Sequence, residues 1–487
     1  MLRIRLIYKR KLRKICKETL WGGGVVLNRE VLKSKVSSSV ESVYREYVKV
    51  LAELVRIPTV SAWGGDGIKE GCEVVNSLLK ERGWATTTVS GGGFPVVIAE
   101  LGSGSKTVMF YNHYDVQPPD PLDEWVSNPF SLAEKEGLLF GRGVADNKGN
   151  IAARMAAAEV IQPYLDDLDL KLKFVIEGEE EVGSPTLSNV VDGYRDLLRA
   201  EAGFWETGYV GRDDVLSISL GFKGMLYVEV VIKGPNRDVH SGNAPLIPNP
   251  AWRIAKLLTT LKDEVGNVKV PGFYDDVDGE FLKNAEELLK GLDPEELNAL
   301  KEELGIKEFV GGVEGLEAYR KLLLTPSLNV SGLYAGYTGK GSKTIVPSKA
   351  GVKIDIRPIP GQDPQKILNV FKEYLKSQGF ADAEVFVESM YRSGYTNPKE
   401  VIVKASVKAA EEAYGKPPKV MPISAGSGPM YLFTHVLKIP MTGAGVGYYG
   451  SRVHAPNENI RVKDFIRGVK HVALTLIEYS SMRESSV

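Results

Sequence analysis

Short β-rich runs alternate with helical stretches toward the start of this chain, and that alternation limits the fold more than any other feature. Val96–Leu101 and Thr107–Tyr111 precede the Ala-rich stretch Lys148–Tyr164, and Leu170–Ile176 follows it. Ahead of them, Val40, Val43, Tyr44, Tyr47, Val48, Leu51, Leu54 and Val55 share one helical face from about Ser39, and Pro58 ends it. Ile68–Arg82 reads as a second helix, with Gly83 placed as its C-terminal stop. Strands and helices in this order predict an α/β fold whose mixed sheet is sandwiched by helices.

After Gly221 the pattern changes. Met225–Lys233, Gly351–Arg357 and Ala383–Ser389 read as strands, with Pro250–Leu261 and Pro364–Ser377 as helices between them. A charged helical insert, Asp278–Leu324, lies within this region. These elements make a smaller α+β domain inserted into the first. Helical periodicity resumes at Val401–Tyr414 and Val462–Tyr479. The expected division is an N-terminal extension (1–38), a first catalytic segment (39–220), the inserted domain (221–392) and a second catalytic segment (393–487).

The 487 residues exceed one ordinary domain, and 43% hydrophobic with 25% charged composition is that of a globular protein. A net charge of −1 offers no global field for nucleic acid or an anionic membrane. Only Cys16 and Cys72 are present, which excludes a disulfide framework and a cysteine-based zinc site and fits a cytoplasmic, reducing location. No apolar run approaches the roughly 18 residues needed to span a bilayer. The N-terminal stretch is basic, from Arg3 to Lys17, yet lacks the apolar core of a signal peptide. It reads as a solvated tail, or as a sign that translation starts later, near Gly22-Gly23-Gly24-Val25.

Chemistry-bearing residues gather where the apolar runs end. His113-Tyr114-Asp115 follows Val108–Tyr111, and residues two apart on an extended segment point the same way. His113 can then offer one ring nitrogen to a metal while Asp115 holds the other. Gly141–Gly149 brings Asp146 to the start of a helix between flexible glycines. Glu177-Gly178-Glu179-Glu180-Glu181 lies at the end of Leu170–Ile176, and Glu206 follows Phe204-Trp205. His454 sits in a Gly- and Pro-flanked loop ending at Glu458. Each alone has an ordinary reading as a cap, a loop acid or a surface histidine. Together, at the ends of strands where open α/β sheets place ligands, they suit a pair of divalent ions such as Zn²⁺, Mn²⁺ or Co²⁺.

From about Ser39 onward the chain resembles the dinuclear-metal exopeptidases that include carnosinase, glutamate carboxypeptidase, aminoacylase and acetylornithine deacetylase. The stretches named above carry the resemblance, joined by Asp238–Gly242, Thr344–Pro347, Ile354–Pro358 and Gly426–Gly428. The resemblance implies that Asp146 bridges two metals, zinc foremost, with a cis peptide bond before Asn147. His113 and Glu206 would complete one metal, Glu181 and His454 the other. Glu180 would be the general base and Asp115 the residue orienting His113. It further implies that the inserted domain is a lid and dimerisation domain, in a homodimer where His240 reaches the partner's site, with substrate contacts from Thr344, Arg357 and Ser427.

Such a site hydrolyses an amide bond with water activated between two metals. The helical insert resembles that of carnosinase-like dipeptidases, whereas glutamate at position 206 resembles carboxypeptidase-type and deacylating members. The expected activity is cleavage beside a free C-terminal carboxylate, as a dipeptidase or carboxypeptidase acting on small peptides. An N-acyl-amino-acid deacylase is the second reading and an inactive amino-acid-binding relative the third.

Overall fold

The computed structural model describes residues 28–482. Its main sheet has six strands in the order Ala85–Val89, Val96–Gly102, Leu170–Glu177, Lys106–His113, Ala202–Trp205 and Met441–Gly443. Val96–Gly102 runs against both neighbours, while the last four strands run parallel to one another. This is the mixed sheet the sequence predicts.

Alternate residues of these strands enter different cores, because successive side chains leave a strand on opposite faces. Val108, Phe110, Phe174 and Phe204 join the core beneath helices Arg29–Arg56, Lys148–Ile161 and Val462–Ser481. Met109, Tyr111, Val175 and Trp205 face the other layer, against Leu187, Val190, Met430 and Phe433. Small side chains at Ala152, Ala153, Ala156 and Ala157 let Lys148–Ile161 lie buried along almost its whole length.

The first helix begins at Arg29, well ahead of the expected Ser39. Asn28 caps it, its side chain accepting from the Val31 N–H at 3.3 Å. Leu32 and Val36 are buried, and the buried Lys33 ammonium meets Glu30, Glu412 and Glu478. Residues 29–38 therefore pack into the core on the main sheet and are not a solvated extension. The periodicity missed them because a buried lysine and several serines interrupt the apolar spacing. The late translation start falls before residue 28 and lies outside the described residues.

In the inserted region, Ser327–Ala335, Lys349–Arg357, Met225–Lys233 and Glu384–Tyr391 pair antiparallel in that order. Helices Pro250–Leu261 and Pro364–Ser377, each with proline in its first turn, cover one face of this sheet. Ser327–Ala335 is a strand the sequence pattern concealed, since Asn329, Val330 and Ser331 are all exposed and a bulge follows. The helical insert consists of three helices, Gly279–Leu289, Glu295–Glu303 and Gly315–Leu323. Their apolar sides meet Ile359 of the inserted region and Ile423, Met421 and Tyr395 of the second catalytic segment.

Candidate metal centre and active site

Leu170–Glu177, Lys106–His113 and Ala202–Trp205 are neighbours in the sheet and run parallel, so their carboxyl ends share one edge. His113 is the last residue of its strand, Glu180 and Glu181 open the turn after theirs, and Glu206 directly follows Trp205. Asp146 enters from the loop before helix Lys148–Ile161, through a cis peptide bond to Asn147 as the resemblance implies. His454 arrives on the loop before Asn459–Arg461, with a left-handed φ of 63°.

The two oxygens of Asp146 face different partners. Oδ1 lies 3.0 Å from His113 Nε2, which is also 3.6 Å from Glu206 Oε2. Oδ2 lies 3.3 Å from His454 Nε2, which is also 3.2 Å from Glu181 Oε2. Donors held around one ion at 2.0–2.2 Å in tetrahedral geometry stand about 3.3–3.6 Å apart. The contacts of His113 and of His454 have close to that spacing, and donor atoms of His113, Asp146 and Glu181 lie within 4.8 Å of one another. Glu206 Oε2 is moreover buried without a hydrogen-bond partner of its own. The residues present therefore fit two divalent ions sharing Asp146.

Charge points the same way. Burial raises the Glu206 carboxyl to about 8 against the pull of His113, and burial and Glu206 raise Glu180 well above the carboxylate range. Burial also opposes ionisation of Asp146, yet hydrogen bonds with His113 and His454 hold it well below that range. Hydrogen bonds with Asp146 and Glu181 carry His454 up to about 10. This set holds more carboxylates than two imidazoles can neutralise, and bound cations would supply the missing charge.

Surrounding groups hold these side chains in place. Asp115 lies behind His113 and accepts from the backbone N–H groups of Glu180 and Glu181. Gln117 donates to Glu181 Oε2 at 3.0 Å. Asn147 donates to the Glu206 carbonyl at 3.0 Å. The acidic run after Leu170–Ile176 is not a solvated loop: Glu177 is buried and accepts from Tyr111 and Ser184, while Glu179 accepts from Phe94 N–H and Thr186. Sequence reasoning gave no role to Gln117 or Glu458, because neither lies in an apolar or acidic pattern. The signal for Glu458 was its place in the His454 loop.

A cavity of about 370 Å³ opens over these groups, and Glu180, Ser217, Ser219, Phe222, Ser424 and Ser427 line it along with Asp146, Glu181, Glu206 and His454. Ser427 donates to the Gly224 carbonyl at 2.8 Å and accepts from Arg357 Nη1 at 2.9 Å. Arg357 thus approaches the cavity through Ser427. His240 and Thr344 do not line it. They lie at one end of the short ribbon formed by Val239–His240 and Ile345–Val346, where the Ser241 N–H reaches the Thr344 carbonyl at 3.0 Å.

A carboxylate shared by two histidine–glutamate pairs at the carboxyl edge of an α/β sheet is the arrangement a dinuclear-metal hydrolase would need. The chain belongs to peptidase family M20/M25/M40, whose profile matches residues 109–478. It is 38% identical to an M20 family metallo-carboxypeptidase of Sulfolobus solfataricus, with a TM-score of 0.83 over 90% of this chain and 100% of that one. It is 28% identical to the Beta-Ala-His dipeptidase of Homo sapiens, over 80% of this chain and 78% of that protein. It is 26% identical to the Cys-Gly metallodipeptidase dug1 of Schizosaccharomyces pombe, over 90% and 96%. The chain is accordingly a metal-dependent hydrolase of the dipeptidase and carboxypeptidase type. Among the described residues no helix is long and apolar enough to cross a membrane.

Proposed function

We propose that this enzyme removes or separates a residue carrying a free C-terminal carboxylate, using two metal ions held by His113, Asp146 and Glu206 and by Asp146, Glu181 and His454. The division of Asp146 between two histidine–glutamate pairs carries this reading. When bound, two divalent ions lower the pKa of water and polarise the scissile carbonyl. Nitrogen and oxygen donors suit Zn²⁺ first, and Mn²⁺ or Co²⁺ as well.

Glu180 belongs to neither ligand group and lines the cavity beside Glu181, so it is placed to take a proton from water and return it to the leaving amine. Arg357, steered by Ser427 and by Asp355 at 3.5 Å, is suited to grip the substrate carboxylate. A guanidinium makes two parallel hydrogen bonds to such a group. Ser427 acts chiefly by orienting Arg357, since its own hydrogen goes to Gly224.

His240 and Thr344 lie off the cavity within one chain, which favours a site completed by a second subunit. Leu246 and Trp252, just after His240, are 87% and 77% exposed, and Leu333 and Phe386 are exposed on the outer strands of the inserted sheet. Exposed apolar groups of this size are commonly covered by a partner. A homodimer joined through the inserted domain accounts for both observations. The free, buried Cys72 thiol accords with a reducing, cytoplasmic location.

Screening the Zn²⁺- or Mn²⁺-loaded protein against dipeptides and N-acyl amino acids tests the reading. Dipeptides with a free carboxylate should have the higher kcat/KM. A preference for N-acyl amino acids would make it a deacylase, and inertness toward both with metals bound would make it a binding protein.

A further inference from the structure

Glu458 lies four residues beyond His454 and is 1% exposed. Its carboxylate accepts hydrogen bonds from every side that the Asp146 loop presents. Oε2 takes Arg142 Nη1 at 2.8 Å and the Gly143 N–H at 3.0 Å, and Oε1 takes the Ala145 N–H at 2.8 Å and the Asp146 N–H at 3.0 Å. The Glu458 carbonyl accepts from the Gly141 N–H at 3.1 Å. Arg142 is equally buried, and its Nη2 reaches the Pro118 carbonyl at 3.1 Å, on the segment that follows Asp115. One buried charge pair thus joins three segments, those carrying Asp115, Asp146 and His454.

Every group facing the Glu458 carboxylate is an N–H donor. Glutamine has the same shape but would turn its own NH₂ against two of those donors, leaving them unpaired in a buried site. Only a carboxylate satisfies all four. We propose that Glu458 is the positioning residue of the metal centre, holding Asp146 in register with His454 so that both metal positions exist together. The inference rests on the two-metal reading, because Asp146 offers one oxygen to each group. A shift of its backbone must then weaken both positions, whereas losing Glu181 weakens one.

Calorimetric titration of chelator-stripped protein with Zn²⁺ tests this on wild type, Glu458→Gln and Glu181→Gln. Glu458→Gln should weaken both binding events by about 10–100-fold, the usual loss when a group supporting a ligand is removed. Glu181→Gln should weaken mainly one. Wild type binding fewer than two ions would overturn the two-metal reading itself. Two wild-type affinities in a folded Glu458→Gln protein, with only a lowered Tm, would instead overturn the positioning role. Should that variant fail to fold, hydrogen exchange on the wild-type enzyme decides. The N–H groups of Gly143, Ala145 and Asp146 should be protected equally with and without metal. Protection that appears only after metal is added would show that the ions, and not Glu458, order the loop.

Discussion

Asp115 Oδ1 lies 3.2 Å from His113 Nδ1, and neither side chain has any exposure. The same carboxylate accepts from the N–H of Glu180 at 3.2 Å and of Glu181 at 3.0 Å. Asp115 therefore holds the histidine toward Asp146 through its backbone carbonyl, 3.1 Å from Nδ1, as well as its carboxylate, and the carboxylate also sets the start of the turn bearing Glu180 and Glu181. On the proposed mechanism, that turn gives two adjacent glutamates different tasks.

Glu180→Gln should keep both metals while turnover falls by roughly 10²–10⁴, the usual weight of a general base. Glu181→Gln should instead lose affinity for metal. Metal analysis alongside kcat separates the two, and the reverse pattern would exchange their roles.

Arg357→Ala should lower kcat/KM on a free-carboxylate dipeptide by one to a few orders of magnitude, through loss of the guanidinium that faces the substrate carboxylate. Bound metal should be unchanged. The matching C-terminal amide should already be a poor substrate and should suffer little from the substitution. Equal cleavage of acid and amide by the native enzyme would remove carboxylate recognition from Arg357.

Subunit mixing tests the shared site. His240→Ala and Glu180→Gln should each be nearly inactive alone, and exchanged heterodimers should regain activity because one site then has both residues intact. No recovery after confirmed exchange would place His240 outside the catalytic site.

His471 offers a stability test away from the metals. It is wholly buried on Val462–Ser481, 3.0 Å from the Ser406 carbonyl, and burial lowers its pKa from 6.5 to about 4. The unfolded chain therefore binds the proton first as pH falls. Its stabilising contribution is complete above about 6.5 and is lost as pH falls toward about 4, on the order of 3 kcal/mol in all. Thermal melts of wild type and His471→Gln should converge over that interval, and parallel Tm curves would contradict the assignment.

Part of the proposed site was legible because three of its ligand-bearing segments follow apolar strands, while Asp146 and His454 sit in loops. Val108–Tyr111 leads to His113, Leu170–Ile176 to Glu180 and Glu181, and Phe204-Trp205 to Glu206. What the pattern lacks is the set of contacts made by backbone. Glu458 is defined by N–H groups of residues more than three hundred positions earlier, which no local spacing reveals. The start of Arg29–Arg56 was hidden for a related reason: Lys33 is buried through ion pairs with distant Glu412 and Glu478. Ser327–Ala335 was hidden because its exposed side chains break the alternation of a half-buried strand.

The most direct test of a two-metal peptidase is to strip the protein with a chelator, restore Zn²⁺ or Mn²⁺ stepwise, and follow bound metal together with dipeptide cleavage. Two ions should bind per chain, with full cleavage reached only as the second is taken up, and Asp146→Asn should impair both. Full activity in the metal-free protein, or at one ion per chain, would contradict the shared-carboxylate centre.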